Sequence, residues 1–132
     1  MKIIVGFLRS PEGRAALDRA IAEAQLRDAE LVVVHTARDD ASEVIEYQTE
    51  VARVEERLVA AGVSFSMREY TRGNSPSEDL RQTAEENGAE LLVIGLRRRS
   101  AVGKLVLGSN AQEILLKADC PVLAVKAADP DA

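Results

Sequence analysis

Leu91-Leu92-Val93-Ile94-Gly95 is an apolar run that ends on glycine, and after thirteen further residues Ser109-Asn110-Ala111-Gln112 opens a segment of helical periodicity. An apolar run without alternation suits a strand covered on both faces. The later tetrapeptide reads as a capping box, with Ile114, Leu115 and Ala118 turned inward on the helix that follows. Pro121–Lys126 (PVLAVK) is then the next strand, with proline at its start, where a missing donor is tolerated. Strand, helix and strand in this order form a parallel crossover unit.

The same alternation continues toward the N-terminus. Ser75-Pro76-Ser77-Glu78 is a capping box with proline at the first helical position, and that helix closes near Asn87-Gly88. Before it, Val63–Tyr70 alternates Val63, Phe65 and Met67 with Ser64, Ser66 and Arg68, the pattern of a less buried strand near a sheet edge. A helix from about Ser42 to Ala60 carries Val44, Tyr47, Val51, Val54 and Leu58 on one face. Leu31–His35 (LVVVH) is a further buried strand. Ser10-Pro11-Glu12 opens a helix whose Leu17, Ala20, Ile21 and Ala24 share a face, and Lys2–Gly6 (KIIVG) is the first strand.

Five strands alternating with four helices predict an α/β fold: a doubly wound, Rossmann-like, five-stranded parallel sheet with helices on both faces. Right-handed crossovers favour the strand order 3-2-1-4-5, which puts the alternating third strand at an edge. The 132 residues fit a single domain. It is expected over residues 1–127, with 128–132 as a frayed tail.

Composition excludes several functions. The net charge is −5, with two Tyr, two Phe and no Trp, which argues against nucleic-acid binding and acidic membranes. No apolar run approaches the ~20 residues of a membrane span, and no secretory signal is evident, so the expected location is cytoplasmic. Cys120 is the only cysteine and His35 the only histidine, which leaves no cysteine-built zinc site or disulfide framework. His35 reads as structural, Cys120 as a buried inert thiol. No residue set points to catalysis, so the chain is not expected to be an enzyme.

In a doubly wound sheet the ligand crevice lies where the winding reverses, beyond the carboxyl ends of strands 1 and 4. That selects Gly6-Phe7-Leu8-Arg9-Ser10 and the segment Gly95–Ser109, in which Arg97, Arg98, Arg99 and Lys104 supply positive charge. A glycine-containing loop entering a helix N-terminus suits an anion. Ser109 either caps that helix or donates to a phosphate. Gly103-Lys104 is not a P-loop, because Leu105 replaces the required Ser or Thr. The end of strand 1 also lacks the carboxylates of a magnesium site.

The opening KIIVG, the strand Leu31–His35, the Gly95–Ser109 segment and the ending Ala118-Asp119-Cys120-Pro121-Val122-Leu123-Ala124-Val125 together resemble the universal stress protein family over nearly the whole chain. The resemblance implies a stress-response regulatory domain that dimerises through its last strand, Pro121–Lys126, and acts with protein partners not identified by the sequence. Its nucleotide-binding branch carries Gly-x2-Gly-x9-Gly-Ser/Thr and binds ATP or another adenine nucleotide, with magnesium arriving only with the nucleotide. The first glycine matches Gly95 and the last pair matches Gly108-Ser109, whereas Arg98 replaces the second glycine and Leu8 replaces an aspartate that contacts the nucleoside. The backbone expected to meet the adenine maps onto Thr36 and Ala37. The candidate nucleotide contacts are therefore Gly6, Phe7, Leu8, Thr36, Ala37, Gly95, Arg97, Arg98, Gly108, Ser109 and Asn110. The alternative is a homodimeric interaction protein that binds no nucleotide, because of Leu8 and Arg98.

Overall fold

The computed structural model describes residues 1–7, 11–35, 44–69, 75–96 and 108–127, with the backbone alone for 44–47. In chain order they form β1 (Lys2–Phe7), α1 (Pro11–Arg27), β2 (Glu30–His35), α2 (Val44–Ala60), β3 (Phe65–Glu69), α3 (Pro76–Glu86), β4 (Leu91–Leu96), α4 (Ser109–Lys117) and β5 (Val122–Lys126). All strand pairs are parallel and the order is β3-β2-β1-β4-β5, the doubly wound arrangement expected from the sequence. No helix among the described residues is long and apolar enough to cross a membrane.

Side chains alternate across the pleat, so each strand feeds two cores. Ile3, Val5, Phe7, Leu31, Val33 and Val93 pack beneath α1 and α2, where Leu17, Ala20, Ile21 and Ala24 of α1 meet Val54 and Leu58 of α2. On the other face Ile4, Val32, Val34, Leu92 and Ile94 pack against Leu80 and Ala84 of α3 and Ile114 of α4. The inward set expected on α4 is corrected in one place. Leu115 is 42% exposed and its neighbour Leu116 83% exposed, because this nine-residue helix turns Ile114 to the core, with Ala111 and the expected Ala118 packed beside it, and Leu115 and Leu116 fall off that face.

Three helices stop in the same way. Asp28, Gly62 and Gly88 have φ of 52°, 71° and 58°, the left-handed conformation that ends a helix. The N–H groups of Ala29, Val63 and Ala89 return to the carbonyls of Ala24, Leu58 and Ala84 at 2.9, 3.3 and 2.9 Å. Each bond closes a terminal carbonyl and aims the chain into the next strand within a few residues.

The helix start expected at Ser75 is present. Its Oγ accepts the Glu78 N–H at 3.2 Å, and Pro76 stands at the first helical position. β3 begins at Phe65 rather than Val63, and β5 at Val122 rather than Pro121, since Val63 and Pro121 are spent on the preceding connections. The Pro121 carbonyl still accepts the Leu92 N–H at 3.0 Å. Burial falls toward both sheet edges, as the alternation in β3 implied: Phe65 and Met67 are half-buried, and Ser66, Arg68 and Glu69 are exposed.

The α1–α2 seam is tied by ion pairs from Arg14 to Glu50, at 3.6 Å, and from Arg57 to Asp18. Glu23 on α1 is buried yet charged, held between Arg19 at 3.0 Å and Arg27 at 2.9 Å. Its i,i+4 spacing to both arginines meets the need of a buried carboxylate for paired donors.

Candidate functional site

The winding reverses between β1 and β4. Pairing between them runs Ile3↔Leu91, Ile4↔Leu92 and Val5↔Val93 and then stops, whereas β1 stays paired with β2 as far as Phe7↔His35. Gly6 and Phe7 on one side and Ile94, Gly95 and Leu96 on the other therefore diverge at the carboxyl edge of the sheet. In parallel crossovers the helices run back against the strands, so the N-termini of α1, α3 and α4 stand at this same edge.

Gly95 has a packing role that its motif does not reveal. A Cβ built there would lie 2.1 Å from the carbonyl oxygen and 2.6 Å from the carbonyl carbon of Glu12, in the first turn of α1. The bare backbone of β4 thus lets the N-terminus of α1 rest directly on the strand. No side chain fits without moving main chain. The contact is made by the backbone of Glu12, which is why no residue pattern announces it.

Gly108 is different. It is the N-cap of α4, with φ −66° and ψ 161°, a conformation open to any residue, and a Cβ there would meet nothing within 4 Å among the described residues. Ser109 follows as the first helical residue. Its expected role as a cap is therefore corrected: α4 has no side-chain cap hydrogen bond, and the chain turns into helix one residue earlier than a serine cap would require.

The three helix starts also differ in charge. α1 has Glu12 in its first turn, and α3 has Glu78, Asp79 and the Ser75 cap; α4 has no acidic residue in its first turn. The first intrahelical bond of α4 runs from the Gln112 N–H to the Gly108 carbonyl at 3.0 Å. The N–H groups of Ser109, Asn110 and Ala111 precede it and have no intrahelical acceptor. Gly108, Ser109 and Asn110 are exposed.

Asn110 does something its sequence context did not suggest. Its Oδ1 accepts the backbone N–H of Ser77 at 3.3 Å, so it caps α3 from the first turn of α4 and ties the two helix starts together. Ser77 is fully buried, and its Oγ accepts from Arg81 Nε at 3.3 Å. Of the other candidates, Leu8, Thr36, Ala37, Arg97 and Arg98 lie outside the described residues. Among the described residues, no group of three or more His, Cys, Asp or Glu side chains converges as a metal site would require.

Residues 1–126 match the profile of the universal stress protein family. The chain belongs to that family. A universal stress protein of Mycolicibacterium smegmatis is 44% identical over 126 residues, which cover 94% of this chain and 96% of the relative. The structure of a universal stress protein from Archaeoglobus fulgidus superposes with a TM-score of 0.80 at 32% identity, over 96% of this chain and 98% of the other. A second, also from Archaeoglobus fulgidus and solved in complex with dAMP, superposes with a TM-score of 0.71 at 25% identity, over 96% of this chain and 98% of that one.

In this universal stress protein domain His35 ends β2 and is 5% exposed. Burial pushes its imidazole below the ordinary value of 6.5, while the nearby Glu69 and Glu55 carboxylates pull the other way. Cys120 is half-buried beside Lys117 and Asp119, in a groove of about 420 Å³ between α3 and the end of α4. Burial raises its thiol pKa, which favours the protonated form, although the side chain is half-buried at the groove and not fully buried as expected.

Two outcomes follow for solution measurements. Gly95→Ala should lower unfolding free energy by about 3 kcal/mol, the upper end of ordinary overpacking, because the neighbour is main chain. Gly108→Ala should change it by less than about 1 kcal/mol; equal losses in urea titrations would contradict the contact geometry. For His35 the folded pKa lies below the unfolded one. The native state is therefore favoured above about pH 6.5, and that advantage is lost as pH falls, by no more than ~1.4 kcal/mol per pH unit for one proton. His35→Gln should flatten the decline in stability between about pH 7 and 5, read as urea midpoints across that range.

Proposed function

We propose that this universal stress protein domain is a regulatory binding module that holds an adenine nucleotide where β1 and β4 diverge. The observation that carries the reading is the start of α4: a glycine N-cap, no capping side chain, no acidic residue in the first turn, and leading N–H groups without intrahelical acceptors. A helix start left in this state offers aligned donors and partial positive charge to a phosphate. The Ser109 hydroxyl, not used as a cap, adds a donor, and Gly108 leaves room for close approach. The dAMP complex of the Archaeoglobus fulgidus relative supports adenine as the base. ATP, AMP and dAMP share that base and differ in phosphate length and sugar, so the ligand class is an adenine nucleotide, with magnesium carried in by a triphosphate. No catalytic step is assigned, and the proposed setting is the cytosol.

A second reading has an observation of its own. Gly95 is required by the Glu12 contact whether or not a ligand binds, so its presence does not report nucleotide binding. With Leu8 and Arg98 in place of the usual aspartate and glycine, the chain then reads as an interaction protein that keeps the fold. In both readings we propose a homodimer paired through Pro121–Lys126. β5 is an edge strand, and its Val122, Leu123, Ala124 and Val125 are only half-buried in the single chain.

Calorimetric titration with ATP, AMP and dAMP, with and without magnesium, decides between the two. Under the first reading binding is saturable, Gly108→Val abolishes it, and Ser109→Ala weakens it by about 1–3 kcal/mol through loss of a charge-assisted bond, with thermal stability preserved. No heat at millimolar nucleotide, from folded protein free of bound nucleotide, leaves the second reading. Sedimentation equilibrium should give twice the monomer mass, and Ala124→Pro, which removes a backbone donor from the edge, should give the monomer.

A further inference from the structure

The opposite edge of the sheet, β3, has its own distinct chemistry. Its ladder sets Leu31 opposite Phe65, Val33 opposite Met67 and His35 opposite Glu69, and the Leu31 N–H donates to the Ser64 carbonyl at 2.8 Å. In a parallel ladder each residue bonds to the two that flank its partner. Ser64, Ser66 and Arg68 thus turn their backbone groups toward β2, and Phe65, Met67 and Glu69 turn theirs outward. A strand edge in this state accepts a further strand.

The ground beside that edge says what kind of strand. α2 overhangs it, and Ala52, Val59 and Ala60 form an apolar groove with Phe65, of about 480 Å³, in which Val59 is 69% exposed. The charged residues lining it are Glu55 and Glu56, and Glu69 stands at the end of β3. On the flank of α2 that meets α1, the acids and bases are paired, Glu50 with Arg14 and Arg57 with Asp18. Glu55, Glu56 and Glu69 have no such ion pair among the described residues. Arg68, the basic residue of β3, is engaged by Glu86 of α3 at 3.0 Å on the other face of the sheet. The groove is therefore apolar at its floor and acidic at its rim.

We propose that the α2–β3 edge docks an extended segment of a partner protein that carries apolar and basic residues together on one face, at every second position, because Phe65, Glu69 and the overhanging α2 residues share one face of the sheet. The segment's backbone bonds to the outward groups of Phe65, Met67 and Glu69. Its apolar side chains cover Val59 and Phe65, and its lysines or arginines face Glu55, Glu56 and Glu69. The proposal is independent of nucleotide binding and concerns the edge remote from β5.

The probe is a synthetic acetylated and amidated peptide, Lys-Thr-Val-Thr-Val-Thr-Lys, whose lysines and valines share one face of an extended strand, titrated into isotope-labelled protein and followed by amide chemical shifts, with fluorescence anisotropy for affinity. The expected result is saturable binding with shift changes concentrated in residues 52–60 and 65–69. The Glu55→Lys/Glu56→Lys double variant and the separate Val59→Arg variant should each weaken binding roughly tenfold or more, since a central apolar anchor and its charge partners dominate such contacts. Both changes are on exposed positions, and unchanged urea midpoints show that the fold is kept. A peptide with glutamate in place of lysine should not bind. No shift at millimolar peptide, shifts confined to Val122–Lys126, or affinity indifferent to these variants overturns the proposal. So does concentration-dependent self-association abolished by Val59→Arg, which assigns the edge to a second copy of the chain.

Discussion

Parallel strands need crossovers, and crossovers are right-handed. In this chain that constraint sends α1 and α2 over one face as the sheet grows toward β3, and α3 and α4 over the other as it grows toward β5. The two halves meet at β1 and β4, the point where the direction of winding reverses. The ladder ends at Val5↔Val93 and the strand ends separate. Everything placed at the carboxyl edge depends on this parting, including the start of α1 seated on Gly95 and the start of α4 beyond it.

Close packing at that point is set by backbone and not by side chains. The Glu12 carbonyl occupies the space that a Cβ of residue 95 would fill, so the glycine determines how near α1 comes to β4. The pairing of Asn110 with Ser77 performs the corresponding task on the other face, fixing α4 against α3 through one side-chain acceptor. Two of the residues read from the sequence as ligand contacts are thereby engaged in holding helices. Gly108 and Ser109 have no such duty among the described residues, and the nucleotide reading concentrates on them.

The apolar periodicities were readable because they reflect burial directly. Leu17, Ala20, Ile21 and Ala24 line one face of α1 because 3.6 residues per turn bring them together, and all four are buried. The alternation in β3 marked an edge strand for the same reason. The serine cap at Ser75 and the left-handed Gly88 were likewise local, each depending on a few bonds within one turn. Ser109 looked equally local and was not. Serine followed by glutamine three residues on fits a cap, but the chain enters the helix at Gly108, and the serine becomes the first helical residue. Leu115 failed for a different reason: the face of this short helix that meets the sheet is taken by Ala111, Ile114 and Ala118, and Leu115 lies off it.

The amino-acid sequence by itself determined the order of elements, the parallel doubly wound sheet, the edge position of β3 and the family, because these follow from hydrophobic period, turn chemistry and extended motif likeness. Only the tertiary structure decided which job each glycine and polar residue at the carboxyl edge performs. A main-chain carbonyl 83 residues from Gly95, and a helix start 33 residues from Asn110, are partners that no local pattern encodes. They are brought within contact distance by the packing of α1 on β4 and of α3 on α4, and that packing is a property of the folded sheet and not of any segment within it.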